Sequence, residues 1–317
     1  MTGSEALIEV RLTRIEYAAR DINLFELRPV GREALPAATA GAHIDIHLPN
    51  GLVRQYSLTE ASDTPGRYTL GVKRDPASRG GSKALFEAVK VGDILRISAP
   101  RNHFALVSAA THTVLIAGGI GITPLRCMVS TLMEQGRSWE LHYCARSQLD
   151  AAFLEEFRGK LNVHCHFDEE HGGAPADIER IVHQGPPDAH YYCCGPQPML
   201  AAFERAAANL PLDQVHVEYF TAKEFAPATE GFTVEISSTD QTFEIGPNVS
   251  ILKTLCAAGF NIPFSCEEGT CGACETKVLE GVPDHRDSVL SPLEQAGNKT
   301  MMLCVSGAKS PKLKLDI

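Results

Sequence analysis

Four cysteines near the C-terminal end constrain this chain more than any other feature. Cys266, Cys271 and Cys274 fall in Ser265-Cys266-Glu267-Glu268-Gly269-Thr270-Cys271-Gly272-Ala273-Cys274, and Cys304 follows after 29 intervening residues. Cys-x4-Cys-x2-Cys with a distant fourth cysteine is the ligand spacing of a plant-type [2Fe–2S] cluster. Two irons need four thiolates around them. A tight loop must therefore supply three, and a remote segment must fold back with the fourth. Gly269 and Gly272 suit a backbone that wraps closely, because glycine lacks a Cβ and tolerates positive φ. Two disulfides or four buried thiols would not require three cysteines so close together. Zinc is the nearest rival, but zinc pairs ordinarily repeat Cys-x2-Cys twice.

The rest of the chain sets the context. Its 317 residues suffice for two or three domains. Met1-Thr2-Gly3-Ser4-Glu5-Ala6 shows no basic stretch followed by an apolar one, as a secretory signal would. Ten cysteines without such a signal point to a reducing compartment, the cytoplasm, and to metal or redox use. No apolar run is long enough to span a membrane. A net charge of −10 argues against a nucleic-acid partner, since phosphate binding needs clustered Lys and Arg.

From Ile8 to Leu106 the pattern is one of short strands and turns. Residues 7–12, 22–27 and 42–48 alternate apolar with polar, and Pro29-Val30-Gly31, Pro49-Asn50-Gly51 and Thr64-Pro65-Gly66 punctuate them. That rhythm suggests a β-barrel, interrupted by one helix from Ser82 to Val89. Three pieces carry chemistry: Arg54-Gln55-Tyr56-Ser57-Leu58, Gly71-Val72-Lys73-Arg74 and Arg79-Gly80-Gly81-Ser82. A glycine turn opening a helix presents free N–H groups to an anion. Ser82 adds a hydroxyl, Arg54 a positive charge and Tyr56 a face for a planar ring. Taken singly, each piece reads as an ordinary strand or loop.

The middle of the chain alternates strands and helices, which implies a parallel sheet. Thr113 to Ala117 is an apolar, β-branched run, followed by Gly118-Gly119-Ile120-Gly121-Ile122-Thr123-Pro124 and an amphipathic stretch from Leu125 to Glu134. Strand, glycine turn and helix make a dinucleotide-binding arrangement, although the Gly-x-Gly-x-x-Gly spelling is only half met. Further strands are expected at 140–145, 163–167, 189–194 and 215–220, with helices at 150–157 and 198–208. Ligands on such sheets lie beyond the carboxyl ends of the strands. Gly118 to Thr123, Ala145 to Ser147 and Cys194-Gly195-Pro196 all fall there. Cys193 reads as a small strand residue. Arg146 and Ser147 leave the choice between NADH and NADPH open.

The polar stretch from Thr221 to Gly231 holds Pro and Gly without periodicity and reads as a linker. Beyond it, strands are expected at 232–236 and 242–245, then a helix from Ile251 to Ala258 capped by Ser250 and stopped by Gly259. His43, His47 and His103 are scattered. His164 and His166 share one strand face, where spacing alone gives no ligand set.

In this order, these motifs resemble the ferredoxin–NADP reductase superfamily. The whole chain is similar to its phthalate dioxygenase reductase and vanillate O-demethylase reductase family, down to Asp284-His285-Arg286-Asp287 after the cysteine loop. The resemblance implies a multidomain fold. An antiparallel β-barrel flavin domain spans 1–108, an α/β parallel-sheet NAD-binding domain 109–224, a linker 225–231, and a β-grasp plant-type ferredoxin domain, of α+β class, 232–317. It implies FMN, NADH and one [2Fe–2S] cluster as cofactors, although spacing alone does not choose FMN over FAD.

The resemblance also implies roles. Arg54, Tyr56 and Ser57 would line the flavin, Val72 and Lys73 would offer backbone to its polar edge, and Gly81 and Ser82 would hold its phosphate. Gly118, Gly119 and Gly121 would support the pyrophosphate of the nucleotide, and Gly195 and Pro196 would complete that turn. Thr123 would lie near the flavin, Cys194 near the nicotinamide and Phe220 against the flavin ring. Cys266, Cys271, Cys274 and Cys304 would bind the cluster. A hydride would pass from NADH to the flavin, and single electrons through the cluster to a Rieske-type terminal oxygenase acting on aromatic compounds. The cofactors carry that chemistry, so no side-chain acid or base is required. The chain is expected to be a monomer. Glu267, Glu268 and Glu275 would form an acidic docking edge. Other readings are the same electron chain serving another monooxygenase or a cytochrome P450, a non-catalytic redox sensor, and a zinc-bearing binding module.

Overall fold

The computed structural model describes residues 7–31, 34–76, 79–221 and 231–317. Most of the linker expected at 225–231 thus lies outside the described residues. By contacts the chain divides into two compact units, one ending at Glu218 and the other beginning at Tyr219.

The first unit opens with six strands: β1 (Ile8–Ala19), β2 (Ile22–Pro29), β3 (His43–His47), β4 (Val53–Ser57), β5 (Tyr68–Lys73) and β6 (Ile94–Ile97). Their order is β4-β3-β6-β1-β2-β5, and every pair is antiparallel. A bridge between Leu58, just past β4, and Leu70 in β5 joins the two ends, so the sheet closes into a barrel. Leu12, Phe25, Leu27, Ile44, Leu70 and Ile97 fill it, each almost wholly buried. The alternation in β3 does not leave its polar side in water. Asp45 is buried and pairs with Arg101 at 2.7 Å, while accepting from Gln55 at 2.9 Å. The expected helix appears as α1 (Gly81–Glu87), entered through Gly80 at φ 98°.

The same unit continues as a parallel sheet of β7 (Thr113–Gly118), β8 (Trp139–Ala145), β9 (Val163–Phe167), β10 (His190–Cys194) and β11 (Val215–Glu218), in the order β11-β10-β7-β8-β9. Its helices are α2 (Ile122–Glu134), α3 (Leu154–Phe157), α4 (Ile178–Gln184) and α5 (Gln197–Ala206). Helix α2 starts three residues before the apolar periodicity does, because the glycine turn runs straight into it through a 3-10 turn at Gly119–Gly121. The helix expected at 150–157 shrinks to α3, since Phe153 takes φ 61° and breaks the ladder. Helix α4, capped by the Asp177 side chain on the Arg180 N–H, was not signalled by a strong apolar period. Arg126 of α2 ties the two sheets together, donating to Thr59 O at 2.8 Å and pairing with Glu156 at 2.7 Å.

The second unit is built from β12 (Phe232–Ile236), β13 (Thr242–Ile245), α6 (Ile251–Ala257), β14 (Glu275–Glu280), β15 (Pro283–Asp284), α7 (Pro292–Gly297), β16 (Thr300–Met302), β17 (Gly307–Ala308) and β18 (Lys312–Leu315). Five strands run β13-β12-β18-β14-β16, with β12 parallel to β18 and the other pairs antiparallel. Helix α6 lays Ile251, Leu252 and Leu255 onto that sheet, which is the β-grasp arrangement. Its N-terminus is capped by Ser250, whose hydroxyl accepts from the Lys253 N–H.

Candidate flavin, nucleotide and cluster sites

Strand β4 sends its residues to one end of the barrel. The side chain of Arg54 lies across the start of α1: a Cβ on Gly81 would fall 2.6 Å from Arg54 Cγ. The expected phosphate residues Arg54, Gly81 and Ser82 are thereby brought together. Ser82 Oγ accepts from the Asp75 N–H at 3.2 Å, so the hydroxyl also closes the preceding loop. Burial pushes the Tyr56 phenol up to about 12, against the opposing pull of Arg54, and keeps it neutral. Val72 and Lys73 lie in β5, past the Leu58–Leu70 bridge, where the closure of the barrel ends.

Two close approaches bind the nucleotide turn to its neighbours. A Cβ on Gly118 would fall 2.6 Å from Pro196 Cδ, and one on Gly121 would fall far inside the van der Waals radius of Cys194 O. The glycine turn and Cys194-Gly195-Pro196 therefore pack backbone to backbone, as the carboxyl ends of adjacent strands β7 and β10 dictate. Thr123, buried in the first turn of α2, reaches the barrel. A Cβ on Gly71 of β5 would lie 2.6 Å from its Cγ2.

Glu218, at the end of β11, is a residue that sequence reasoning passed over. Ser57 Oγ donates to its Oε2 at 3.3 Å, and Cys194 Sγ lies 3.9 Å from the same oxygen. One carboxyl thus joins a residue expected at the flavin to one expected at the nicotinamide. Glu218 keeps partial solvent contact as a residue, yet its carboxyl is set in an interior surrounding. Burial raises it to about 8, with the hydrogen bonds from Ser57 and Cys194 pulling weakly the other way. Burial likewise pushes the Cys194 thiol up, with Glu218 adding to the effect. The only signal for Glu218 in the sequence was its place at a strand's carboxyl end. Phe220 follows β11, belongs to the other unit and is exposed. Cys193 is a wholly buried strand residue.

A raised carboxyl has a definite pH signature. The native state holds this proton more tightly than the unfolded chain does, so the associated stability is full below about 4.5 and is lost as pH rises through about 8. Glu218→Gln cannot ionise. We expect its melting temperature to match the parent at pH 5 and exceed it at pH 9, by roughly 2–4 °C per kcal/mol relieved. Parallel melting curves for the two proteins at both pH values would contradict the placement of this carboxyl.

In the second unit the four cysteines converge. Cys266 interacts with Cys271 and Cys304, and Cys274 with Cys304. The Glu268 and Thr270 amides point at Cys266 Sγ from 3.3 and 3.4 Å, and the Ala273 amide at Cys271 Sγ from 3.5 Å. The neighbouring thiols of Cys271 and Cys304, aided by those amides, pull the Cys266 thiol down. Four convergent sulfur atoms so supplied with N–H donors fit an iron–sulfur cluster. Gly269 takes φ 68°, and a Cβ there would meet Val305 Cγ2 at 2.6 Å. The Asp284-His285-Arg286-Asp287 segment buttresses the loop from behind. Asp287 is buried and accepts from the Val289 and Leu290 amides, and the Ser288 N–H donates to Gly269 O at 2.8 Å.

Known proteins repeat this arrangement. Family models match an oxidoreductase FAD-binding domain over residues 9–106, an oxidoreductase NAD-binding domain over 115–205 and a 2Fe-2S iron-sulfur cluster binding domain over 234–309. A relative from Ectopseudomonas oleovorans, phenoxybenzoate dioxygenase subunit beta, is 50% identical over 98% of both chains. Vanillate O-demethylase oxidoreductase from Pseudomonas sp. (strain HR199 / DSM 7063) is 40% identical over 98% of this chain and all of its own. The solved phthalate dioxygenase reductase superposes with a TM-score of 0.70 at 38% identity, covering 98% of each chain. The chain belongs to the phthalate dioxygenase reductase and vanillate O-demethylase reductase family. This reductase is a flavin and iron–sulfur oxidoreductase with a pyridine-nucleotide-binding domain. An intact type IV self-sufficient cytochrome P450 monooxygenase also superposes, with a TM-score of 0.91 at 35% identity. The reductase covers 41% of that longer chain with 98% of its own. Among the described residues no helix is long and apolar enough to cross a membrane.

Proposed function

We propose that this chain is the NADH-dependent, FMN-bearing reductase of a Rieske-type oxygenase that attacks aromatic compounds. The observation that carries the reading is the meeting of barrel and parallel sheet, where Glu218 joins Ser57 to Cys194 and Thr123 packs against Gly71 of β5. A flavin bound there supplies the conversion of one hydride into two single-electron deliveries.

The residues do the positioning. Arg54 with Gly81 and Ser82 would hold the flavin phosphate, and Tyr56 and Ser57 its ring side. Val72 and Lys73 would meet its polar edge through backbone groups. Gly118, Gly119, Gly121, Gly195 and Pro196 would let the nucleotide's pyrophosphate approach the main chain. Thr123 would lie near the flavin and Cys194 near the nicotinamide, and the family resemblance gives Phe220 a role against the flavin ring. Cys266, Cys271, Cys274 and Cys304 would hold the cluster. NADH over NADPH rests on the family resemblance; at the end of β8, Ser147 Oγ donates to Asp150 at 2.7 Å beside the exposed Arg146. FMN rests on the family resemblance, as do the Rieske partner, the monomeric state and a cytoplasmic location. We keep domain limits of 1–108, 109–224 and 232–317, with the linker at 225–231.

The deciding experiment mixes the purified protein with NADH, a Rieske oxygenase component and a panel of aromatic acids, and follows product. Turnover with no member of the panel, but with a cytochrome P450, would favour the second acceptor class, which the P450 superposition supports. Truncating the chain near Phe225 offers a further test. We expect the shortened protein to stay folded, keep its flavin and reduce ferricyanide from NADH, because the unit boundary falls at Glu218. Insoluble or flavin-free material would contradict the domain limits.

A further inference from the structure

The outer face of the parallel sheet changes character from its centre to its edge. At the centre, Val114 and Ile116 of β7 and Tyr191 and Cys193 of β10 are wholly buried, and Tyr191 Oη donates to Pro186 O, just past α4, at 2.8 Å. Toward the edge the same face carries Glu140 and His142 on β8 and His164 on β9. Register fixes this: Val114 stands opposite Glu140, Ile116 opposite His142, and His142 opposite His164. Glu140 and His142 are half-buried and His164 is exposed. Spacing along β9 hides the group, because its members come from two strands and meet only through cross-strand pairing.

Three observations give the group its chemistry. The donor atoms of Glu140, His142 and His164 all lie within 4.8 Å of one another. Glu140 Oε1 is 3.3 Å from His142 Nε2. A tetrahedral ion with legs of about 2.0–2.1 Å spaces its ligands at about 3.3–3.4 Å, so this pair needs no rearrangement. The imidazoles of His142 and His164 lie side by side, with centroids 4.9 Å apart at 27°, and His164 is exposed.

We propose that Glu140, His142 and His164 form a solvent-open site for a divalent transition-metal ion of the zinc class. Two imidazoles and one carboxylate suit such ions and discriminate against magnesium and calcium, which prefer oxygen. The fourth position is left to water. Occupancy cross-links β8 to the edge strand β9 and requires their native register, so the ion stabilises the folded chain.

The test uses the intact, tag-free protein with its flavin and cluster. Zn²⁺ is titrated by equilibrium dialysis with metal analysis, and the zinc environment is read by X-ray absorption. We expect one saturable zinc per chain beyond the iron, with nitrogen and oxygen ligands only and a raised melting temperature. His142→Ala and His164→Ala should each weaken binding at least roughly tenfold, as loss of even an outer-shell partner costs ~10–100-fold. His183→Ala, at an exposed position on α4, should bind zinc as the parent does. Retained flavin and cluster absorbance shows that the variants are folded, and exposed His164 is the safer of the two. No saturable binding, sulfur in the zinc shell from Cys165 or the cluster thiols, or unchanged affinity in both histidine variants would mean adventitious zinc only, and would overturn the proposal.

Discussion

Replacing Cys304 by serine will separate the two ends of the electron path. Of the four proposed cluster ligands, Cys304 alone comes from outside the loop that carries Cys266, Cys271 and Cys274. It lies between Met302 of β16 and β17, where Leu303 and Met302 are wholly buried, so its position is fixed by the core. Cys304→Ser leaves that core in place and removes one thiolate of four. We expect cluster absorbance and cytochrome c reduction to fall by at least roughly a hundredfold, since even outer-shell losses cost ~10–100-fold in metal affinity. NADH-driven ferricyanide reduction should persist, because the proposed flavin and nucleotide residues, Phe220 apart, lie in the unit that ends at Glu218. Equal loss of both activities would show that the flavin does not deliver electrons independently of the cluster.

The second large effect is expected at Gly121. A Cβ there would overlap the carbonyl oxygen of Cys194 and lie 2.8 Å from the Gly195 nitrogen. Neither contact is the end of a flexible side chain, so the two turns must separate. Overpacking of this kind costs about 1–3 kcal/mol, and displacing a bound reactant by ~1 Å costs on the order of a hundredfold in rate. Gly121→Ala should therefore lose NADH–ferricyanide activity by about that factor while its flavin and cluster spectra survive. Gly66→Ala is the control, since nothing lies within 4 Å of the added carbon. A Gly121→Ala protein with parental kinetics would mean that the glycine turn does not set the nucleotide's position.

These cases show what the sequence made legible. The 2Fe-2S domain could be read from its cysteine quartet because three of the four cysteines sit in one loop, and loop spacing survives folding unchanged. The glycine turn could be read because it follows an apolar strand directly. Glu218 could not, since its significance depends on β11 lying beside β10, and β10 beside β7, in an order that the chain does not follow. His142 and His164 were hidden for the same reason. Helix α3 was overextended because nothing in its composition announces the φ 61° at Phe153. Local motifs were visible; partners supplied by neighbouring strands were not.

The amides aimed at Cys266 and Cys271 have a consequence for how such a reductase changes allegiance. Those donors are main-chain groups of Glu268, Thr270 and Ala273, so they survive any substitution there except proline. The side chains at the same positions are not the donating groups. A lineage can therefore exchange the acids around its electron exit to suit a different acceptor, while the backbone share of the driving force for that last transfer stays where it was.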